Sequence, residues 1–276
     1  MVTHAAGLLL LLREERDSTP ELARTLDLHI ALSGARAEVA PKVAAGWVER
    51  AQVLLKHGEA ALDIDQLDLD WEAVTRLARE VCRITAHHEV ELAEAFARIA
   101  SRLDVDAVDE DVMRAMAVEY LAGGKTGWNE DLDHELFGFV LNQALRPFLQ
   151  AYAAASAPLL EGERWDRGNC PVCGGHPDFA ALEGEGGERR LLCGRCDMEW
   201  KYQRLGCPFC GNEDSRSLGY FPAGNGAHRL YVCEQCKGYL KTVDLRETWR
   251  RRPLTIERIL TVGMDLAAAE QGYCRR

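Results

Sequence analysis

From Ser18 to about Leu160, apolar residues recur at intervals of three and four with few β-branched runs, the period of successive amphipathic helices. Ser18-Thr19-Pro20-Glu21 offers a cap and a first-turn proline, opening a helix through Leu22, Leu26, Ile30 and Leu32. Pro41 opens a segment carrying Val43, Trp47, Val48, Val53 and Leu54 that stops near Gly58. A helix beginning near Trp71 runs through Val74, Leu77, Ala78, Val81 and Ile84, and another from about Val90 through Leu92, Phe96, Ile99 and Leu103. Gly123-Gly124 ends a segment containing Met113, Met116, Val118 and Leu121. The run from Leu132 to Leu160 closes just after Pro158, and Pro147 is expected to kink or divide it.

Between Gly162 and Gly168 the pattern changes to Gly, Arg, Asp and Trp, and the helical period fades. Beyond Gly168 the chain reads as short strands, Leu191-Leu192 and Leu230-Tyr231-Val232, with loop-like Gly184 to Gly187 and Pro222 to Gly226. After Pro253 an apolar helix returns with Ile256, Ile259, Leu260, Met264 and Leu266, ending at Gly272. The expected architecture is an all-helical domain over residues 1–163, two small metal-binding β modules over 164–204 and 205–250, and a C-terminal helix and tail over 251–276.

The chemistry of the last third lies in four Cys-x-x-Cys pairs: Cys170/Cys173, Cys193/Cys196, Cys207/Cys210 and Cys233/Cys236. Two residues between thiols let one tight turn aim both sulfurs at a single ion, and two such turns complete a tetrahedron. The segment also repeats itself. Cys170-Pro171-Val172-Cys173-Gly174 matches Cys207-Pro208-Phe209-Cys210-Gly211, Leu192-Cys193 matches Val232-Cys233, and Lys201 and Lys241 each lie five residues beyond a knuckle. Two copies of one module, each closing its own site from consecutive pairs, is the simplest reading. An interleaved arrangement normally places its middle ligands closer than the ten residues between Cys196 and Cys207. Four thiolates suit zinc and equally a single iron. A closed tetrathiolate leaves no position for substrate, so a scaffold role outranks a catalytic one, and no catalytic residue is assigned.

Composition narrows the classes. A chain of 276 residues with 47% hydrophobic residues can build a core, so its ten cysteines are not needed as a disulfide scaffold. The run Gly7 to Leu12 is too short to span a bilayer and lacks the features of an export signal, which points to a cytoplasmic chain without membrane contact. Net charge of −11 argues against nucleic acid as a partner. Cys82 and Cys274 read as a core thiol and a tail thiol, His87-His88 as a solvated or capping pair, and His176 as a non-ligand. Asp63, Asp65, Asp68, Asp70 and Glu72 lack the glycine and terminal glutamate of a calcium loop and read as a solvated face or helix start.

Four stretches taken together resemble the FdhE family of formate dehydrogenase accessory proteins. They are Cys170-Pro-Val-Cys-Gly174, Leu192-Cys-Gly-Arg-Cys-Asp-Met-Glu-Trp200, Arg204-Leu-Gly-Cys-Pro-Phe-Cys-Gly211 and Arg229-Leu-Tyr-Val-Cys-Glu-Gln-Cys-Lys-Gly-Tyr-Leu-Lys241. The tail Leu266 to Tyr273 is similar to that family's end as well. The resemblance implies a helical domain followed by two rubredoxin-like modules, each binding iron, with zinc as the alternative. Cys170, Cys173, Cys193 and Cys196 would hold one ion, and Cys207, Cys210, Cys233 and Cys236 the other. It further implies a cytoplasmic factor, not itself an enzyme, that contacts the catalytic subunit of a respiratory formate dehydrogenase during maturation, and it leaves a homodimer open. Against it stand a nucleic-acid-binding zinc ribbon and a rubredoxin-like electron carrier. Of the aromatic residues around the knuckles, Trp200, Tyr202, Phe209, Tyr220, Phe221, Tyr231 and Tyr239, some fill the ribbon cores and two or three are expected to face a partner.

Overall fold

A computed structural model of the chain describes residues 2–104, 108–124, 133–162, 164–224 and 226–276. It forms two compact units, Met1–Trp47 with Asp63–Tyr152, and Val48–Leu62 with Ala153–Arg276. Its helices are α1 (Val2–Ser18), α2 (Ala23–Ala37), α3 (Trp47–Lys56), α4 (Trp71–His88), α5 (Ala93–Leu103), α6 (Glu110–Leu121), α7 (His134–Leu160), α8 (Leu254–Leu260) and α9 (Val262–Glu270). Its strands are β1 (Pro177–Glu183), β2 (Glu188–Cys193), β3 (Glu199–Tyr202), β4 (Leu218–Ala223), β5 (His228–Cys233) and β6 (Tyr239–Asp244).

In the first unit the helical period is spent on one core. α4 presents Val74, Leu77, Ala78, Val81 and Ile84 inward, against Phe96, Ile99 and Leu103 of α5 and Leu26 and Leu32 of α2. Each of these side chains other than Ala78 contributes about 1.5–3 kcal/mol by leaving water. Asp70 starts α4 by accepting a hydrogen bond from the Ala73 N–H at 2.9 Å, which satisfies one of the free donors of the first turn. The acidic stretch therefore holds a helix start.

Several sequence expectations for the helices need correction. Ser18 ends α1, its hydroxyl donating to the Glu14 carbonyl, and Thr19 precedes a single 3-10 turn at Pro20–Leu22 without a side-chain cap. Pro41 opens no helix. The Ala44 N–H donates to the Tyr152 hydroxyl at 3.3 Å, which holds the chain irregular until Gly46, at φ +66°, turns it into α3. The run expected from Leu132 begins outside the described residues, and α7 continues through Pro147 without division. Leu141, Ala144, Leu145, Phe148 and Leu149 are buried around that proline, and their burial outweighs the roughly 3 kcal/mol it costs a helix. The C-terminal helix is in fact two. The Thr261 hydroxyl donates to the Glu257 carbonyl, and the buried Lys241 ammonium takes the Arg258 and Thr261 carbonyls, ending α8 before α9 begins.

The second unit is built on one six-stranded sheet of order β3-β2-β1-β6-β5-β4. β1 pairs with β6 in parallel, and every other neighbouring pair is antiparallel. Each β module is thus a three-stranded meander, and the second continues the first by translation along the sheet. β3 and β4 lie at opposite edges, so the connection between them must cross the sheet. It is held on the way by the Arg189 guanidinium, donating to the Gly206 carbonyl at 2.9 Å, and by the Tyr202 hydroxyl on the Cys207 carbonyl at 3.5 Å. On the other face, α8 and α9 close two small cores. Phe179, Ala181, Leu192 and Val243 pack with Leu254, while Leu230, Val232 and Tyr239 pack with Ala268 and Tyr273. Among the described residues no helix is long and apolar enough to cross a membrane.

Candidate metal centres

The repeat in sequence is a repeat in backbone. The Cys170 N–H donates to the Gly175 carbonyl and the Cys207 N–H to the Asn212 carbonyl, both at 2.8 Å. Gly174 and Gly211 turn back on the carbonyls of Cys170 and Cys207, both at 3.0 Å. Those glycines have φ of +69° and +70°, a conformation that a side chain strains. The second turn of each module repeats as well: Asp197 and Lys237, each one residue past the last cysteine, both have φ +57°. Aspartate is among the residues that tolerate this region best, whereas Lys237 is held by its N–H on the Cys233 carbonyl at 2.8 Å.

These turns bring Cys170, Cys173, Cys193 and Cys196 into one cluster and Cys207, Cys210, Cys233 and Cys236 into another, with the sulfurs in each within 4.8 Å of one another. In the first, Cys170 and Cys196 are 3.5 Å apart and Cys173 and Cys193 3.4 Å. In the second, the Cys207–Cys236 and Cys210–Cys233 separations are 3.7 Å. A tetrahedron with metal–sulfur bonds of about 2.3 Å has edges of about 3.8 Å, so both clusters are close to the size of a tetrathiolate site. Backbone N–H groups of Val172, Arg195 and Gly238 point at the sulfurs of Cys170, Cys193 and Cys236 at 3.3–3.4 Å, and the Asn212 amide lies 3.5 Å from Cys233. Such donors favour thiolate over thiol.

Crowded thiols share protons unevenly. Hydrogen bonds from Cys170, Cys193 and Cys196 hold the Cys173 thiol well below its usual range, while burial pushes Cys170 and Cys196 up. In the second cluster burial raises Cys207. Burial also opposes ionisation of Cys233, yet the Cys236 N–H and the Asn212 amide bring it down to about 7. The remaining thiols differ: burial pushes Cys82 in α4 up to about 12, and Cys274 is exposed on the tail. His176 lies outside both clusters, its ring edge-on to Phe209 at 5.9 Å.

The surroundings of the clusters contain residues that sequence reasoning did not single out. Ala61 and Leu62 donate to the Pro171 and Val172 carbonyls at 2.9 Å, laying residues 59–62 along the first knuckle. Arg258 of α8 reaches Asp178 at 3.3 Å and Asp197 at 2.9 Å, so it fastens β1 and the first module's second turn together. Lys241, marked in the sequence only by its place in the repeat, pairs with Asp265 of α9 at 2.7 Å. Gly168 lies so close to the second knuckle that a Cβ there would come 1.9 Å from the Pro208 carbonyl oxygen. Arg189 is buried, stacks on the Tyr231 ring at 4.9 Å and bonds the residue before Cys207, placing a cation beside the second cluster. No spacing rule marks these contacts, since each joins segments far apart in sequence. Of the aromatic residues around the knuckles, Tyr220 and Phe221 on β4 are exposed.

Comparison with known proteins supplies the context. Residues 169–204 match the family model of the FdhE central domain. An FdhE homolog of Aquifex aeolicus is 34% identical over 148 residues, covering 52% of this chain and 51% of the relative. That of Stutzerimonas stutzeri is 31% identical over 189 residues, 63% and 61% respectively. That of Pseudomonas aeruginosa is 36% identical over 156 residues, 50% and 49%. The chain thus spans about half to three-fifths of the length of these curated relatives. The crystal structure of the FdhE protein from Pseudomonas aeruginosa superposes with a TM-score of 0.65 at 22% identity, covering 100% of this chain and 93% of that one, which establishes a shared fold. This chain is thus similar to FdhE proteins in its central segment, in partial sequence matches and in fold.

Proposed function

We propose that this protein is a cytoplasmic accessory factor that binds the catalytic subunit of a respiratory formate dehydrogenase and assists its assembly or activation. In this reading Cys170, Cys173, Cys193 and Cys196 ligate one ion and Cys207, Cys210, Cys233 and Cys236 a second, iron in the form that the family resemblance favours. The modules at 164–204 and 205–250 are the working parts, carried by the helical domain at 1–163 and closed by residues 251–276. The observation that carries the proposal is that each cluster gathers four sulfurs at tetrathiolate size. A tetrahedron closed by protein sulfur stiffens a small fold and offers no corner to a substrate, which supports a binding factor over an enzyme. Tyr220 and Phe221, exposed on β4 of the second module, suit a partner surface. The net charge of −11 weighs against nucleic acid as the client.

A pull-down from cells expressing formate dehydrogenase tests the proposal, with the tagged full-length chain run beside a Cys170→Ser/Cys207→Ser variant. Capture of the immature catalytic subunit by the intact chain, and reduced capture by the variant, is the expected result. Absence of that subunit from the intact chain's eluate overturns the client assignment.

A further inference from the structure

The two clusters share the Cys-x-x-Cys spacing within each knuckle and the same knuckle backbone, but they differ in access to water. All four cysteines of the first are buried, whereas in the second Cys207 and Cys233 are buried, Cys236 is half-buried and Cys210 is exposed. The cause lies in what covers the knuckles. At the first, residues 59–62 pair with the Pro171 and Val172 carbonyls, Ala60 packs beside Gly174, and the Arg195 side chain lies against Gly175. At the second, the chain's tail covers one knuckle only. The Cys274 N–H donates to the Lys237 carbonyl at 2.8 Å, Tyr273 bonds Glu234, and Arg276 lies over Gly238. The other knuckle leaves open space beside Gly211, and its Cys210 is an exposed residue.

We infer that the second cluster is a metal-exchange site, giving up and accepting a borderline or soft divalent ion through its Cys210–Cys236 side, while the first retains its ion as a fixed part of the fold. This rests on the metal-binding reading above. The step is ligand substitution without change of oxidation state. A thiolate or nitrogen donor of the acceptor would form a bond to the metal as the bond to the Cys210 sulfur breaks; Cys236, then Cys207 and Cys233, would be displaced in turn by further donors, each released thiolate taking a proton from water. At the second cluster a donor reaches this corner from solvent with the sheet intact. At the first it must wait until residues 59–62 leave the knuckle, a local opening that breaks two backbone hydrogen bonds and exposes Val172. The acceptor's chemical class is therefore a soft-donor chelate, such as a cysteine pair on a partner protein.

The experiment uses the full-length chain loaded with zinc and challenged with excess chromogenic chelator, with iodoacetamide labelling of the thiols followed in parallel by peptide mass spectrometry. The expected release has two phases of one equivalent each, the faster by about tenfold or more. Cys210 and Cys236 should be alkylated before Cys170, Cys173, Cys193 and Cys196. Cys210→Ser should remove the fast phase and leave the slow one. If that variant unfolds, the alkylation order in the intact chain decides. Release of both equivalents at one rate, or alkylation of the first cluster at the same time as the second, overturns the inference. A chain that binds no zinc overturns the metal reading itself, which is distinct from two equivalents that leave together.

Discussion

The two β modules are near-copies whose differences come from what the rest of the chain lays over them. Their first knuckles agree to within a degree at Gly174 and Gly211, and their hydrogen bonds to within 0.1 Å, yet one cluster is sealed and the other half open. The sealed one recruits residues 59–62 from outside its module, and Arg258 adds a latch across Asp178 and Asp197. The open one has a tail over one turn and a buried arginine beneath it. Matching Cys-x-x-Cys knuckles therefore bring four sulfurs to similar distances in both sites, while access to each site is set by the covering segments.

Substitutions can break this comparison at different strengths. The largest expected effect is Cys193→Ser in the sealed site, destabilising by about 4 kcal/mol in a denaturant titration of the metal-loaded chain, because the three remaining buried cysteines lose their common ion. Arg258→Ala comes next at about 3 kcal/mol by thermal unfolding, since it removes the guanidinium shared by the largely buried carboxylates of Asp178 and Asp197. Cys210→Ser, in the open site, should cost about 2 kcal/mol or less and reduce bound metal from two equivalents to one by elemental analysis.

Much of the helical unit is legible in the apolar period, because α4, α5 and α6 each bury one stripe: Val74 to Ile84, Phe96 to Leu103, Met113 to Leu121. The proline-containing α7 is less so, since burial around Phe148 overrides a local rule. The repeat announces two modules. It does not announce that β1 and β6 join them into one sheet, because a parallel pair formed across a long connection leaves no local pattern. Nor does any spacing distinguish the sealed cluster from the open one. That distinction is written at Glu59-Ala60-Ala61-Leu62, about a hundred residues upstream of the cysteines, in a stretch that reads as an ordinary helix end.

Two finer tests sharpen the comparison. Arg189→Met replaces a buried cation with a chain of similar bulk, and should weaken metal binding at the second cluster by about tenfold in a competition titration while leaving the first unchanged. Gly174→Ala and Gly211→Ala should each cost about 1 kcal/mol in chemical denaturation, and equally, because their φ values match and neither site crowds a methyl group. Unequal costs would mean that the covering segments also strain the knuckles themselves.

The central claim is that both clusters are metal sites of one kind. Its most direct test is titration of the reduced, metal-free full-length chain with cobalt(II), reading the thiolate charge-transfer and ligand-field bands. The account predicts saturation at two equivalents with the spectrum of tetrahedral coordination by four sulfurs at both. Saturation at one equivalent or none, or a spectrum with oxygen or nitrogen in place of sulfur, would contradict it.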